Sequence, residues 1–137
     1  MKKFIIAVLA LFMATNLCLA ATKWMELAPK TYVDLNSVRK TYDGYEFYIK
    51  QLSGAPMAAD YLKQKNFWYE INLIRLKCAE ETVVYVTNYY FDLKGRMVET
   101  YRANEYHKLL PDTLGQKIYL DGLCKVFNDH DFPEKSY

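Results

Sequence analysis

Three runs of β-branched and aromatic residues follow one another with only short turns between them, and these runs restrict the fold more than any other feature of the chain. Phe67 to Cys78 gives the strongest strand signal, and Thr82 to Phe91 returns after the turn Ala79-Glu80-Glu81. Asp92-Leu93-Lys94-Gly95 is a hairpin turn, and Arg96 to Tyr101 follows it. The first run does not alternate cleanly. Phe67, Tyr69, Ile71 and Leu73 share one parity, whereas Ile74, Leu76 and Cys78 share the other. A bulge near Leu73 would bring both sets to the core face. The three runs therefore read as an antiparallel meander, and 13 Tyr and 7 Phe favour a sheet over a helical bundle.

Upstream, Thr22 to Leu27 reads as a short strand ended by Pro29, followed by extended residues at Tyr32-Val33-Asp34. Asp34 to Val38 forms a turn in which Asp34 caps backbone N–H groups, and Asp43-Gly44 is a hairpin signal before a strand from Tyr45 to Leu52. Ser53-Gly54-Ala55-Pro56 breaks that strand, and Met57 to Lys65 is a loop or one helical turn. After Pro111 the period changes. Leu114, Ile118, Leu120 or Asp121, and Cys124 recur at about helical spacing, which predicts one substantial helix over Asp112 to Val126, capped by Asp112 or Thr113. Gly115 and Gly122 each weaken it by ~1 kcal/mol relative to alanine, so it depends on the sheet for support. Asn128 to Tyr137 reads as a polar, frayed tail. The fold class expected is α+β: an antiparallel sheet of about five to six strands with one C-terminal helix packed on a face.

The N-terminus carries an export pattern. Lys2 and Lys3 precede an apolar run from Phe4 to Met13, and Cys18-Leu19-Ala20-Ala21 closes the segment. Cleavage after Ala20 would leave residues 1–20 as a signal peptide and 21–137 as one mature domain. The rival is an uncleaved anchor from Phe4 to Ala21, at the minimum spanning length and interrupted by Thr15 and Asn16. With Lys2 and Lys3 removed, the 18 Lys and Arg against 16 Asp and Glu become an even balance. A neutral chain without a basic run gives no electrostatic case for nucleic acid or for an anionic membrane surface. Cys18 leaves with the signal. The remaining Cys78 and Cys124, in an exported domain, are expected to oxidise to each other, tethering helix to sheet. A metal pair is the alternative, but neither cysteine has a second Cys or His at ligand spacing.

Taken in order, an early Trp24, the segment YVDLNSV (Tyr32 to Val38), a strand ending in Cys78, the Tyr-rich strand Thr82 to Phe91, and the stretch LPDTLGQKIYLDGLCKVF with Cys124 form a pattern. It resembles the surface-adhesin protein E-like domain of bacterial envelope proteins over nearly the whole mature chain. The resemblance implies a disulfide-tethered C-terminal helix and a location in the periplasm or at the cell surface. It also implies a non-enzymatic domain that binds host matrix or plasma proteins such as laminin, vitronectin and plasminogen. A periplasmic structural or housekeeping domain that interacts with envelope components is the alternative. The chain has no lipidation pattern before Cys18, and no family binding segment can be matched residue by residue.

Candidate chemistry is sparse. His107 in EYHKLLP has Glu105 two residues away, but neither a nucleophile elbow nor a free Cys accompanies it, and a loop histidine is the simpler reading. Asp129, His130 and Asp131 offer metal-ligand types, but three adjacent residues converge on one ion only in a tight turn. Ser37 and Asp34 satisfy backbone groups in a turn rather than form a nucleophile pair. Catalytic, cofactor and metal residues are therefore expected to be absent. Tyr45, Tyr48, Tyr85, Tyr89 and Tyr90 carry large contact area with a polar tip; those that point away from the helix-covered face make a candidate surface for a protein partner or a homodimer, and the others pack the sheet.

Overall fold

The computed structural model describes residues 24–58 and 61–137; the export segment and its cleavage site lie outside them. Seven strands form one antiparallel sheet: β1 (Trp24–Ala28), β2 (Thr31–Asp34), β3 (Arg39–Thr41), β4 (Gly44–Leu52), β5 (Tyr69–Lys77), β6 (Thr82–Phe91) and β7 (Met97–Lys108). Their spatial order is β1-β2-β4-β5-β6-β7, with three-residue β3 beside β2 on the same edge of β4. A 3-10 turn, Leu35–Ser37, links β2 to β3, and a single helical turn, α1 (Tyr61–Gln64), lies between β4 and β5. The C-terminal helix, α2, is π-helical over Gln116–Cys124 and continues as α-helix over Lys125–Asn128. This is the α+β fold expected, with short β3 as an additional strand.

The turns form for the reasons their residues dictate. Asp34 Oδ1 accepts the Asn36 N–H at 3.0 Å, and Asp92 Oδ1 accepts the N–H groups of Lys94 and Arg96, both at 2.9 Å. Gly95 closes the second turn at φ +76°, a conformation that disfavours side chains. Gly44 is required for another reason: a Cβ there would overlap the Leu76 carbonyl oxygen on β5. Thr113 caps α2 by accepting the Gln116 N–H at 3.2 Å, whereas Asp112 sits before the cap at φ +60°.

Phe127, Leu123, Tyr119 and Cys124 of α2 pack on Tyr45, Phe47, Ile74, Leu76 and Val83 of the sheet. Phe127 anchors this layer, with ring centroids 5.1 Å from Tyr45 and 5.2 Å from Phe47. The Cys78–Cys124 disulfide is formed, with Cα atoms 5.9 Å apart, and joins the end of β5 to α2.

Three expectations need correction. β5 alternates without a break, so Glu70, Asn72, Ile74 and Leu76 face α2 while Tyr69, Ile71 and Leu73 face the other side. The register shift opposite Leu73–Ile74 falls on β6, where Val86 is the extra residue. β7 extends through His107 to Lys108, because its second half is a solvated edge strand in which polar side chains are tolerated. The tail is not frayed. Lys40 N–H donates to the Pro133 carbonyl and Lys135 N–H to the Lys40 carbonyl, both at 2.8 Å, while Phe132 packs edge-on to Phe127.

Candidate binding surfaces

The strict alternation of β5 divides the sheet into a covered face and a face on which no described helix packs. On the uncovered face, cross-strand rows place Tyr48 beside Leu73, Lys50 beside Ile71, Ile71 beside Tyr89, and Tyr69 beside Phe91. An antiparallel sheet with a wet face ordinarily turns polar residues outward. Here the centre is aromatic and aliphatic, half-buried, and outside the core cluster. Tyr69 stacks on Phe91 with ring centroids 4.5 Å apart, Tyr48 lies 6.5 Å from Tyr89, and Lys50 Nζ stands 4.6 Å from the Tyr69 ring and 5.7 Å from Trp24. At one corner Glu46 accepts from Arg75 at 3.1 Å and Lys135 at 2.8 Å, so that charge is neutralised by the tail. Burial, with Tyr89 and Glu46 nearby, pushes the Tyr48 phenol above its usual range and keeps it a neutral donor.

The five candidate tyrosines are divided between the two faces of the sheet. Tyr48 and Tyr89 are on the uncovered face. Tyr45 and Tyr90 are only 8% and 6% exposed, and Tyr85 shares their face, so these three do not form a free surface. Tyr45 donates its hydroxyl to Asn128 Oδ1 at 2.9 Å, a helix-to-sheet bond. Sequence reasoning missed Trp24, Lys50, Tyr69, Ile71 and Phe91 as members of the uncovered patch. For Tyr69 and Ile71 the signal was the apolar parity of β5, which read as core; Trp24, Lys50 and Phe91 join them only through cross-strand pairing and ring contacts.

The covered face changes character along its length. Beyond the apolar layer under α2 it carries Gln51, Glu70, Asn72 and Asn88, and a cavity of about 290 Å³ opens between these strands, Met57, Gly115 and Tyr119. Glu70 is 4% exposed and Asn72 2%. Among the described residues, the buried side-chain atoms without a hydrogen-bond partner are Gln51 Nε2 and Oε1, Asn72 Oδ1 and Asn88 Oδ1. Leaving such an atom unpaired costs about 1–3 kcal/mol, so this concentration on one face is unusual. Tyr85 and Tyr119 share a hydroxyl–hydroxyl bond of 2.9 Å in the cavity wall. Burial pushes the Tyr85, Tyr90 and Tyr119 phenols up, and the Glu70 carboxylate adds to each shift, so all three keep their protons at neutral pH.

His107 lies in β7, not in a loop, with Nε2 3.6 Å from Glu105 Oε2 and its ring edge-on to Tyr85 at 5.4 Å. Among the described residues no Ser, Thr or Cys lines the cavity beside it. Ser37 donates to the Asp34 carbonyl at 2.7 Å and accepts the Tyr48 N–H at 2.9 Å, so its hydroxyl is occupied in the turn. In the tail, His130 Nδ1 is 2.7 Å from the Val126 carbonyl and Asp131 pairs with Lys40 at 3.5 Å; no group of three metal-ligating side chains converges among the described residues. No helix among them is long and apolar enough to cross a membrane. Comparison with known proteins adds no relative: no family model, curated protein or solved structure matches this chain.

Proposed function

We propose that this chain is an exported bacterial envelope domain, without catalytic activity, that binds other proteins through the uncovered face of its sheet. The observation that carries this reading is the apolar and aromatic centre of that face, Tyr48, Tyr69, Ile71, Leu73, Tyr89 and Phe91, on a sheet whose core is complete without it. Patches of this kind on a soluble domain mark interaction sites. Tyrosine and tryptophan supply rigid contact area there at low entropic cost, and Lys50 adds a cation seated among aromatic rings. The resemblance to surface-adhesin protein E-like domains supports the partner class: host matrix and plasma proteins, with laminin, vitronectin and plasminogen as the ligands to try.

The experiment is brief protease shaving of intact cells, followed by detection of the mature domain beside a periplasmic control. Loss of the domain while the control survives supports host-protein binding. Protection until the outer envelope is opened removes that version and assigns the face to a partner within the envelope.

A further inference from the structure

We propose that the cavity on the covered face is a binding site for a small organic cation, an ammonium or guanidinium group, held by Asn72 and Asn88 with Glu70 and Glu105. This goes beyond the protein-binding role of the opposite face and does not depend on it.

The walls state the chemistry of the occupant. Asn72 and Asn88 are directly opposed across β5 and β6, and the Oδ1 atom of each lacks a donor. Asn72 is only 2% exposed, so leaving its side-chain oxygen without a partner is costly. Two carbonyl oxygens on one wall without donors call for a ligand that brings donors. Around them the described lining holds the carboxyl groups of Glu70 and Glu105 and the rings of Tyr85 and Tyr90, and among the described residues no Lys or Arg lines it. An anion would meet carboxylates and carbonyl oxygens. A neutral apolar ligand would leave both amide oxygens unpaired. An ammonium with three N–H donors, or a planar guanidinium with five, supplies what the wall lacks and is attracted by aromatic faces and carboxylates together. At about 290 Å³ the cavity is near the lower limit of small-ligand pockets, which restricts the occupant to a compact group. Glu105 and His107 lie on exposed β7 and flank the entrance. The cation can come from a free amine or from a Lys or Arg side chain of a polypeptide inserted through that entrance; the chemistry is shared.

The test is a ¹H–¹⁵N NMR titration of the full disulfide-bonded protein with n-butylammonium, methylguanidinium, n-butanol, calcium chloride and a short lysine-containing peptide, at constant ionic strength. Saturable shifts of the Asn72 and Asn88 side-chain amides are expected with at least one organic cation, and none with n-butanol. Tighter binding of the free cations assigns a metabolite-type ligand, and tighter binding of the peptide assigns a side chain. Asn72→Leu should weaken binding at least tenfold and Glu105→Gln, an exposed position that leaves the fold intact, about threefold or more. The proposal is overturned if no cation saturates, if n-butanol or calcium shifts the same signals as strongly, or if both variants bind like the wild type.

Discussion

Removing the disulfide gives a number that the structure fixes in advance. Cys78 and Cys124 are 46 residues apart in sequence, and their bond closes that loop in the unfolded chain. The chain-entropy relation gives a loop-closure entropy of about −13.5 cal/mol/K, or about 4 kcal/mol at 25 °C. Set against a typical domain stability of about 5–15 kcal/mol, that is a large fraction. The fold should nonetheless survive, because Tyr119, Leu123 and Phe127 remain buried against the sheet, each stabilising by about 2 kcal/mol. The perturbation is the double substitution Cys78→Ser with Cys124→Ser, which avoids an unpaired thiol. Urea unfolding followed by near- and far-ultraviolet circular dichroism is the assay. At a denaturant dependence of about 1.5 kcal/mol per molar urea, the midpoint should fall by about 2.7 M in one cooperative transition. A midpoint change of less than about 0.5 M, or early loss of the helical signal while the sheet persists, would refute the argument that the bond stabilises helix and sheet as one unit.

Other outcomes follow from single residues. Phe127→Ala should cost about 3–5 kcal/mol in urea unfolding, since its fully buried ring contacts Tyr45, Phe47 and Phe132. Asn72→Leu should leave ligand-free stability unchanged or raise it by about 1 kcal/mol, because it removes a buried oxygen without a donor; a loss above 1 kcal/mol would contradict the assignment. Acid should destabilise the fold through Asp43 and Asp92. Burial raises Asp43, but the hydrogen bonds it accepts from Lys77 and Thr41 outweigh that and hold it low, and the Arg96 N–H does the same for Asp92. Their contribution is fully present above the unfolded value of about 3.9 and is lost as pH falls through the depressed folded values, so Asp43→Asn should flatten unfolding curves measured between about pH 4 and 2.

Much of the fold was legible because local signals agreed. Thr82–Phe91 has the boundaries its residues announce, and the Asp92 to Gly95 turn forms where its residues put it. The helix after Pro111 is present but begins at Gln116 rather than Asp112, and Cys78 and Cys124 pair as expected of two cysteines in an exported domain. What was not legible has one physical origin: alternation tells which residues share a face, not which face is the core. In β5 the parity of Tyr69, Ile71 and Leu73 is apolar along its first half, so it read as inward, and a bulge was needed to reconcile Ile74 and Leu76. The strand is instead regular, with an apolar outer patch and an inner face that passes from Ile74 and Leu76 to Asn72 and Glu70. Buried polar side chains resemble solvated ones in a sequence, so the cavity was invisible there. The tail was also obscure: its residues are polar, and its order comes from main-chain bonds to Lys40 and from the Lys135–Glu46 ion pair, which leave no periodic trace.

Central to this account is that the uncovered sheet face binds protein. The most direct measurement is the affinity of immobilised domain for laminin, vitronectin and plasminogen, comparing wild type with Ile71→Lys and Tyr89→Ser on that face and Lys125→Ala on α2. Circular dichroism on each variant would confirm an intact fold. Saturable binding of at least one ligand, weakened about tenfold or more by both face substitutions and unaltered by Lys125→Ala, is the result predicted. Absence of binding to all three, or equal binding by wild type and the face variants, would contradict it.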